Sequence, residues 1–247
     1  IGQRVSVSVP DNLLISLSPD GGWTDCVNVD LQEVVKELTN GDPKPFTEDS
    51  QFYLLPASTY DGTEGTVYET GSANNDGSAA DNAVFMPGHK ICWNKDTSAF
   101  EGHWIDVPLY FKTDSQSSVS VALSQEGTKV TSVGEENGSI VNTVRAAFLN
   151  KECTAPSTGT EPLVFAPSSS TGVFKNEIIL SPTERTAPKY LSFTGGKSTE
   201  LFKINPNGEN PVKCITVRIW IEGQDESCVA QIGGKTFSLS LKFLSVD

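Results

Sequence analysis

The feature that most constrains the fold is a pair of alternating segments within residues 211–243. In the first, Val217, Ile219 and Ile221 alternate with Arg218, Trp220 and Glu222. In the second, Phe237, Leu239, Leu241 and Phe243 alternate with Ser238, Ser240 and Lys242. A period of two over this length is typical of strands with one buried and one solvent-facing side. The segment therefore predicts a strand–loop–strand unit, joined by an acidic loop that contains Cys228.

Shorter segments that are also typical of strands, some alternating and some simply apolar, recur along the chain. They cover residues 3–9, 12–18, 52–55, 104–111, 119–123, 140–149, 163–166, 177–180, 190–193 and 201–204. Turn residues separate them, a pattern that indicates a β-sandwich or jelly roll. With no internal repeat and no long linker, we predict an all-β, jelly-roll-like β-sandwich with long loops, in which residues 11–247 form a single domain.

One helix interrupts this pattern at residues 30–40. Its apolar residues fall at the spacing of one helix face: Leu31, Val34, Val35 and Leu38. Asp30 and Glu33 have the spacing of a capping box, and Asn40-Gly41 suits the helix end. We therefore predict a short amphipathic helix inserted among the strands.

The composition argues against two classes of partner. The chain has 18 Lys and Arg against 31 Asp and Glu, a net charge of −13. Nucleic acid and anionic lipid both require a concentrated positive surface. No run of 18 apolar residues is present, so membrane insertion is not predicted either. The chain begins at Ile1, for which a removed signal peptide is one explanation and trimming is another.

The five cysteines leave the disulfide pattern open. They are Cys26, Cys92, Cys153, Cys214 and Cys228. No CxxC pair is present, which argues against a structural zinc site. In an exported protein four of the five could form two disulfides. We favour Cys214 with Cys228, because they flank one strand and its loop.

No catalytic or cofactor-binding residue is predicted. The chain lacks GxSxG, HExxH and a complete phosphate loop. Its two histidines, His89 and His103, are expected to be structural residues at a turn and a strand start. Trp220 could serve as an exposed sugar platform, but we expect it to pack against a neighbouring layer. The protein is not predicted to be an enzyme.

A polar segment at residues 70–81 has two interpretations. The first is an exposed loop. The alternative is a calcium loop, since calcium prefers several oxygen ligands and the segment offers Asn74, Asn75, Asp76 and Asp81. It lacks the full EF-hand pattern, so we predict no metal centre and keep these four residues as calcium candidates.

The closing segment resembles the C-terminal signature of the TasA/camelysin family of secreted matrix-fibre subunits. The similar residues are VRIWIEGQDESC at 217–228, Ile232-Gly233-Gly234 and the strand FSLSLKF. Residues 103–123, and 139–149 followed by 163–170, are similar to upstream strands of that family. The resemblance covers about 103–243, whereas residues 1–102, including the helix, depart from it.

The resemblance implies a secreted, cell-surface jelly roll that assembles with copies of itself into an extracellular filament. The resemblance implies that the N-terminal segment of one subunit acts as a donor strand, which completes the sheet of the next subunit. Residues 1–10 are the candidate donor here, with Arg4, Val5, Val7 and Val9 at the subunit interface. The name camelysin implies a protease activity, which we do not predict for this chain, because its sequence shows no set of protease residues. The alternative is a monomeric adhesin or carbohydrate-binding module with exposed aromatics, its N-terminal strand paired inside its own sheet.

Overall fold

The computed structural model describes residues 3–63, 65–70, 86–133, 139–154, 163–167, 190–228 and 234–246. The calcium candidates Asn74, Asn75, Asp76 and Asp81 and the predicted strand 177–180 lie outside these ranges. Within them, two β-sheets pack face to face, which confirms the predicted all-β sandwich.

The first sheet is built around the closing strand of the chain. Its order is β16 (Phe202–Ile204), β10 (Val119–Leu123), β18 (Thr236–Val246), β1 (Arg4–Ser8) and β3 (Cys26–Asp30), with β11 (Lys129–Val133) also paired to β18. The predicted alternation of β18 is confirmed, because its four aromatic and leucine positions are buried.

The second sheet contains the other strand of the C-terminal unit. Its order is β13 (Leu163–Phe165), β12 (Val144–Asn150), β17 (Lys213–Ile221), β9 (Ile105–Thr113) and β2 (Leu13–Ser16). Between the sheets, the ring of Phe243 lies 5.0 Å from that of Phe111 and 6.0 Å from that of Phe148. The aromatic rings thus join the facing sheets into one core.

The predicted helix is present as α1 (Leu31–Leu38). Asp30 caps it by accepting a hydrogen bond of 2.9 Å from the backbone N–H of Gln32, and Leu31 and Val35 are buried. A second helix, α2 (Ser139–Thr143), takes up the first four residues of the segment predicted as a strand at 140–149, and β12 follows it. The Thr143 hydroxyl donates to the Ile140 carbonyl at 2.8 Å, a local bond that favours the helical turn.

The outer face of β17 is not solvent-facing, contrary to the sequence prediction. Arg218 and Trp220 are each 1% exposed, and Glu222 is 0% exposed. Residues 55–63, 65–70 and 86–91, here called the cover, lie across this face and include β5 (Ala57–Ser58) and β6 (Tyr68–Glu69). Beside the cover, β4 (Phe52–Leu54), β8 (Ala99–Gly102) and β7 (Cys92–Asn94) form a small sheet, and β14 (Phe193–Thr194) pairs with β15 (Lys197–Ser198).

Candidate functional site

The candidate donor strand β1 lies inside the first sheet of its own chain. It pairs in parallel with β18, where Val5 is opposite Leu239. On its other side it pairs antiparallel with β3, where Val5 is opposite Val29 and Val7 is opposite Val27. Two further bonds extend this ladder: Leu31 N–H donates to the Gln3 carbonyl, and Val9 N–H to the Asp25 carbonyl, each at 3.0 Å.

The predicted alternation of β1 is confirmed. Val5 and Val7 are buried in the core, and Val9 packs against it. Arg4 is exposed. On the side away from the core, the Ser6 hydroxyl donates to the Asn28 side-chain oxygen at 2.8 Å. The strand therefore has one core-filling face and one polar face.

β1 fills a slot between two strands that the described residues join in no other way. β3 and β18 are both neighbours of β1, and they are not paired with each other. Taking β1 out would leave a gap of about 9.6 Å, twice the spacing of paired strands. The backbone groups that line this gap would lose their partners, which is costly for buried groups. Any strand with the same pattern, from either this chain or another copy, would satisfy them.

A short connection leads from β1 to the opposite sheet. Leu13 N–H donates to the Pro10 carbonyl at 2.9 Å, closing a turn at residues 10–13. Next comes β2, which pairs with β9 in the second sheet. The turn therefore connects β1 in the first sheet to β2 in the second sheet.

The segment 217–228, which carries the family resemblance, turns just after β17 around the buried carboxylate of Glu222. The Trp220 indole N–H donates to Glu222 Oε2 at 3.3 Å, and the Gln224 N–H donates to Oε1 at 3.1 Å. Burial raises the pKa of Glu222, and the nearby Arg145 opposes the shift. Gly223 is required there, since a Cβ would overlap the Thr70 side chain and lie 3.0 Å from Pro56 Cβ.

A buried ion pair fastens the same loop to β12. Arg145 Nη2 donates to Asp225 Oδ2 at 2.8 Å, and both side chains are fully buried. Arg145 Nε donates to the Tyr190 hydroxyl at 3.3 Å. Burial raises the pKa of Cys228 to about 12, so this thiol is unreactive at neutral pH. These residues therefore hold the 222–228 loop against β12 and have a structural role.

A second buried charge cluster lies farther along β17. Arg218 donates to Asp106 through Nε at 2.8 Å and Nη2 at 2.9 Å, and Lys90 Nζ lies 3.1 Å from the same carboxylate. Arg218 Nη1 also donates to the Gly62 carbonyl of the cover at 2.8 Å. Sequence reasoning missed this cluster because only the pairing of β9 with β17 brings Asp106 opposite Arg218.

One thiol and one imidazole lie close enough to suggest a nucleophile. Cys92 Sγ is 3.7 Å from His89 Nδ1. The same nitrogen lies 2.7 Å from the Lys90 carbonyl oxygen. A nitrogen that donates to this oxygen carries the proton and cannot accept one from the thiol. Burial, Asp42 and Glu101 raise the pKa of Cys92, so the pair provides no activated thiolate.

The predicted disulfide between Cys214 and Cys228 is wrong, because all five cysteines are free thiols. Cys214 lies near the start of β17, whereas Cys228 follows its end and donates its N–H to the Asp225 carbonyl. The strand from Cys214 to Ile221 spans about 23 Å. A disulfide joins Cα atoms less than about 7 Å apart.

The described ranges contain no group of three or more His, Cys, Asp or Glu side chains arranged to hold a metal ion. In the same ranges, no helix combines the length and apolar character needed to cross a membrane. Trp220 is buried, as expected for packing against a neighbouring layer, and therefore offers no surface to a sugar.

Comparison with known proteins identifies no relative. No family model matches the chain, and no curated protein or solved structure matches it. The functional interpretation therefore rests on the residues of this chain and on the quoted motif resemblance.

Proposed function

We propose that this protein is a structural subunit of an extracellular filament, in which β1 of one copy fills the slot between β18 and β3 of the next. The observation that carries the proposal is the place of β1, inserted between two strands that are not otherwise paired in the described part of the chain. Completion of an open sheet by an added strand is an established mode of protein recognition.

Exchange between copies would keep nearly all of the interactions of β1. A strand from a second copy in the same register would restore both ladders and return two valines to the core. The free energy of exchange therefore depends mainly on the turn at residues 10–13, which would act as the hinge, and on protein concentration. This near balance is the condition under which a strand can be contributed by either chain.

The geometry of such an exchange favours a filament. Each copy would give β1 to one neighbour and receive β1 from another through a different surface. A head-to-tail contact that does not close on itself propagates into a fibre. The secreted, cell-surface location belongs to the same proposal, which the motif resemblance supports.

The remainder of the molecule suits a subunit that must stay folded while one strand is exchanged. The second sheet contains no residue of β1. The Arg145–Asp225 pair and the Arg218–Asp106 pair fasten that sheet to the 222–228 loop and to the cover. Both pairs lie on the face of the second sheet that is turned away from the first.

The alternative, a monomeric adhesin, keeps β1 in its own sheet, as the structure has it. Its expected sugar platform is not available, because Trp220 is 1% exposed. Two other tryptophans are half-buried, and each ring is covered by a lysine: Trp93 by Lys44 at 4.1 Å and Trp23 by Lys112 at 4.5 Å. The filament is therefore the function that we favour.

Electron microscopy of a truncated chain tests the proposal. Removal of residues 1–10 takes away the donor strand, and we expect filaments to be lost. A synthetic peptide of residues 1–10 should then bind the open slot and stabilise the truncated subunit without restoring filaments. Removal of residues 1–2 alone, which precede β1, is the control and should leave assembly intact. Filaments of normal length from the chain without residues 1–10 would contradict the proposal.

A further inference from the structure

The two histidines of the chain lie together at the cover. Their rings meet edge to face, with centroids 4.8 Å apart and an interplanar angle of 88°. His103, in the turn between β8 and β9, is only 2% exposed, whereas His89 is an exposed residue of the cover. Neither has a role in the proposed strand exchange.

The contacts of His103 select one neutral form of its ring. The His89 backbone N–H donates to His103 Nδ1 at 3.1 Å, so this nitrogen is an acceptor without a proton. His103 Nε2 lies 3.3 Å from Glu69 Oε2, and this nitrogen is the donor. A second proton could be added only at Nδ1, where it would face the N–H of His89.

The backbone of Gly88 packs closely on His103. A Cβ placed on Gly88 would lie 3.2 Å from His103 Cβ, 3.3 Å from its Cγ and 3.1 Å from a methyl group of Val67. Backbone bonds hold the same segment in place: Gly88 N–H donates to the Val67 carbonyl at 2.8 Å, and His103 N–H to the His89 carbonyl at 2.8 Å. A proton at Nδ1 therefore opposes a contact that helps to hold residues 86–91 against His103.

Titratable and charged side chains surround His103, and they belong to the elements that pack on it. Glu69 of β6 contacts its ring, and His89 and Lys90 belong to the cover. Asp106 of β9 is bonded to Lys90 and to Arg218 of β17. Burial lowers the pKa of His103 and the charge of the neighbouring His89 lowers it further, while Glu69 and a backbone hydrogen bond with His89 oppose this shift.

We propose that His103 is a proton-operated latch, which releases residues 86–91 of the cover when it takes a proton at Nδ1. Release uncovers the side of Val67 that Gly88 packs on, and Val67 belongs to the apolar cluster on the outer face of the second sheet. Because the closed state lowers the pKa of His103 from its ordinary value of about 6.5, the open state binds this proton more tightly. The closed cover is therefore most stable above about pH 6.5 and loses stability as the pH falls through the range below it.

Hydrogen exchange tests the latch in the whole chain. In the wild type, we expect the amides of Gly88, Ile91 and His103, corrected for intrinsic exchange, to open more readily at pH 5 than at pH 7. Each pH unit within the titration range should increase opening about tenfold. The amide of Leu239 in β18 should not follow them, which separates local release from global unfolding.

Two substitutions assign the proton to one ring. In His103→Gln, the side-chain oxygen can accept from the His89 N–H and the amide can donate to Glu69, but the group does not titrate. We expect the acid response to vanish in His103→Gln and to persist in His89→Gln. An acid response that persists in His103→Gln, or a wild type without one, overturns the latch. In the wild type itself, the NMR titration midpoint of the His103 ring must coincide with the midpoint of opening, and a mismatch also overturns it.

Discussion

At the scale of single residues, the segment 217–228, which carries the family resemblance, consists of residues with structural roles. Glu222 and Asp225 are fully buried, and their hydrogen bonds shape the turn after β17. Gly223 allows the turn to touch Thr70. Buried charges of this kind add little stability compared with an apolar core, but removing one partner is costly because the other stays buried without compensation.

The Arg145–Asp225 pair gives the sharpest test at this scale. Replacing Asp225 with Asn removes the carboxylate that lies 2.8 Å from the fully buried Arg145 guanidinium, and we expect a loss of about 3–5 kcal/mol in the free energy of unfolding. The adjacent Glu226 is exposed, so Glu226→Gln removes the same charge without breaking a buried pair. Urea unfolding compares the two variants, and equal midpoints would show that the pair does not lock the loop.

At the scale of elements, the sequence predicted the strands and the helix whose own residues show a regular apolar spacing. The strands β1 and β18 and the helix α1 show their apolar faces in the sequence. The wet face assigned to β17 was wrong, because burial of Trp220 depends on a cover that is distant in sequence. The short strand β3 was missed, since its sheet partner is β1 and its exposed residues give no extended pattern.

The cap of α1 is a prediction at the scale of an element. Asp30 accepts from the Gln32 N–H, so Asp30→Ala should lower the free energy of unfolding by about 1 kcal/mol, the usual cost of a lost N-cap. Asp30→Asn keeps an oxygen acceptor and should retain most of that stability. Chemical denaturation measures both variants, and a loss as large in Asn as in Ala would argue against capping.

At the scale of the whole molecule, the predicted sandwich is present, whereas the candidate site could be predicted only in part. The alternation of Val5 and Val7 marked β1 as a strand with a core-filling face. Its slot could not be read from sequence, because β18 and β3 are more than 200 residues apart in the chain. The buried ion pairs could not be predicted from the sequence for the same reason, since Arg145 meets Asp225 only after β12 and β17 pair.

The central claim is that β1 fills a slot in another copy, and a cross-strand disulfide tests it most directly. Ser8 lies opposite Cys26 in the pairing of β1 with β3. The adjacent pair Val9–Asp25 is hydrogen-bonded, so Ser8 and Cys26 form a non-hydrogen-bonded pair with Cα atoms about 4.5 Å apart, within disulfide range. The variant Ser8→Cys therefore reports which chain supplies β1.

Filaments of Ser8→Cys are oxidised and run on a denaturing gel without reductant. The account predicts a ladder of covalent multimers, because each bond joins β1 of one copy to β3 of the next. The double variant Ser8→Cys, Cys26→Ser controls for the other four cysteines and should give monomers. A single monomer band, in which the introduced thiol is bonded to Cys26 of the same chain, or a protein that forms no filaments, would contradict the account.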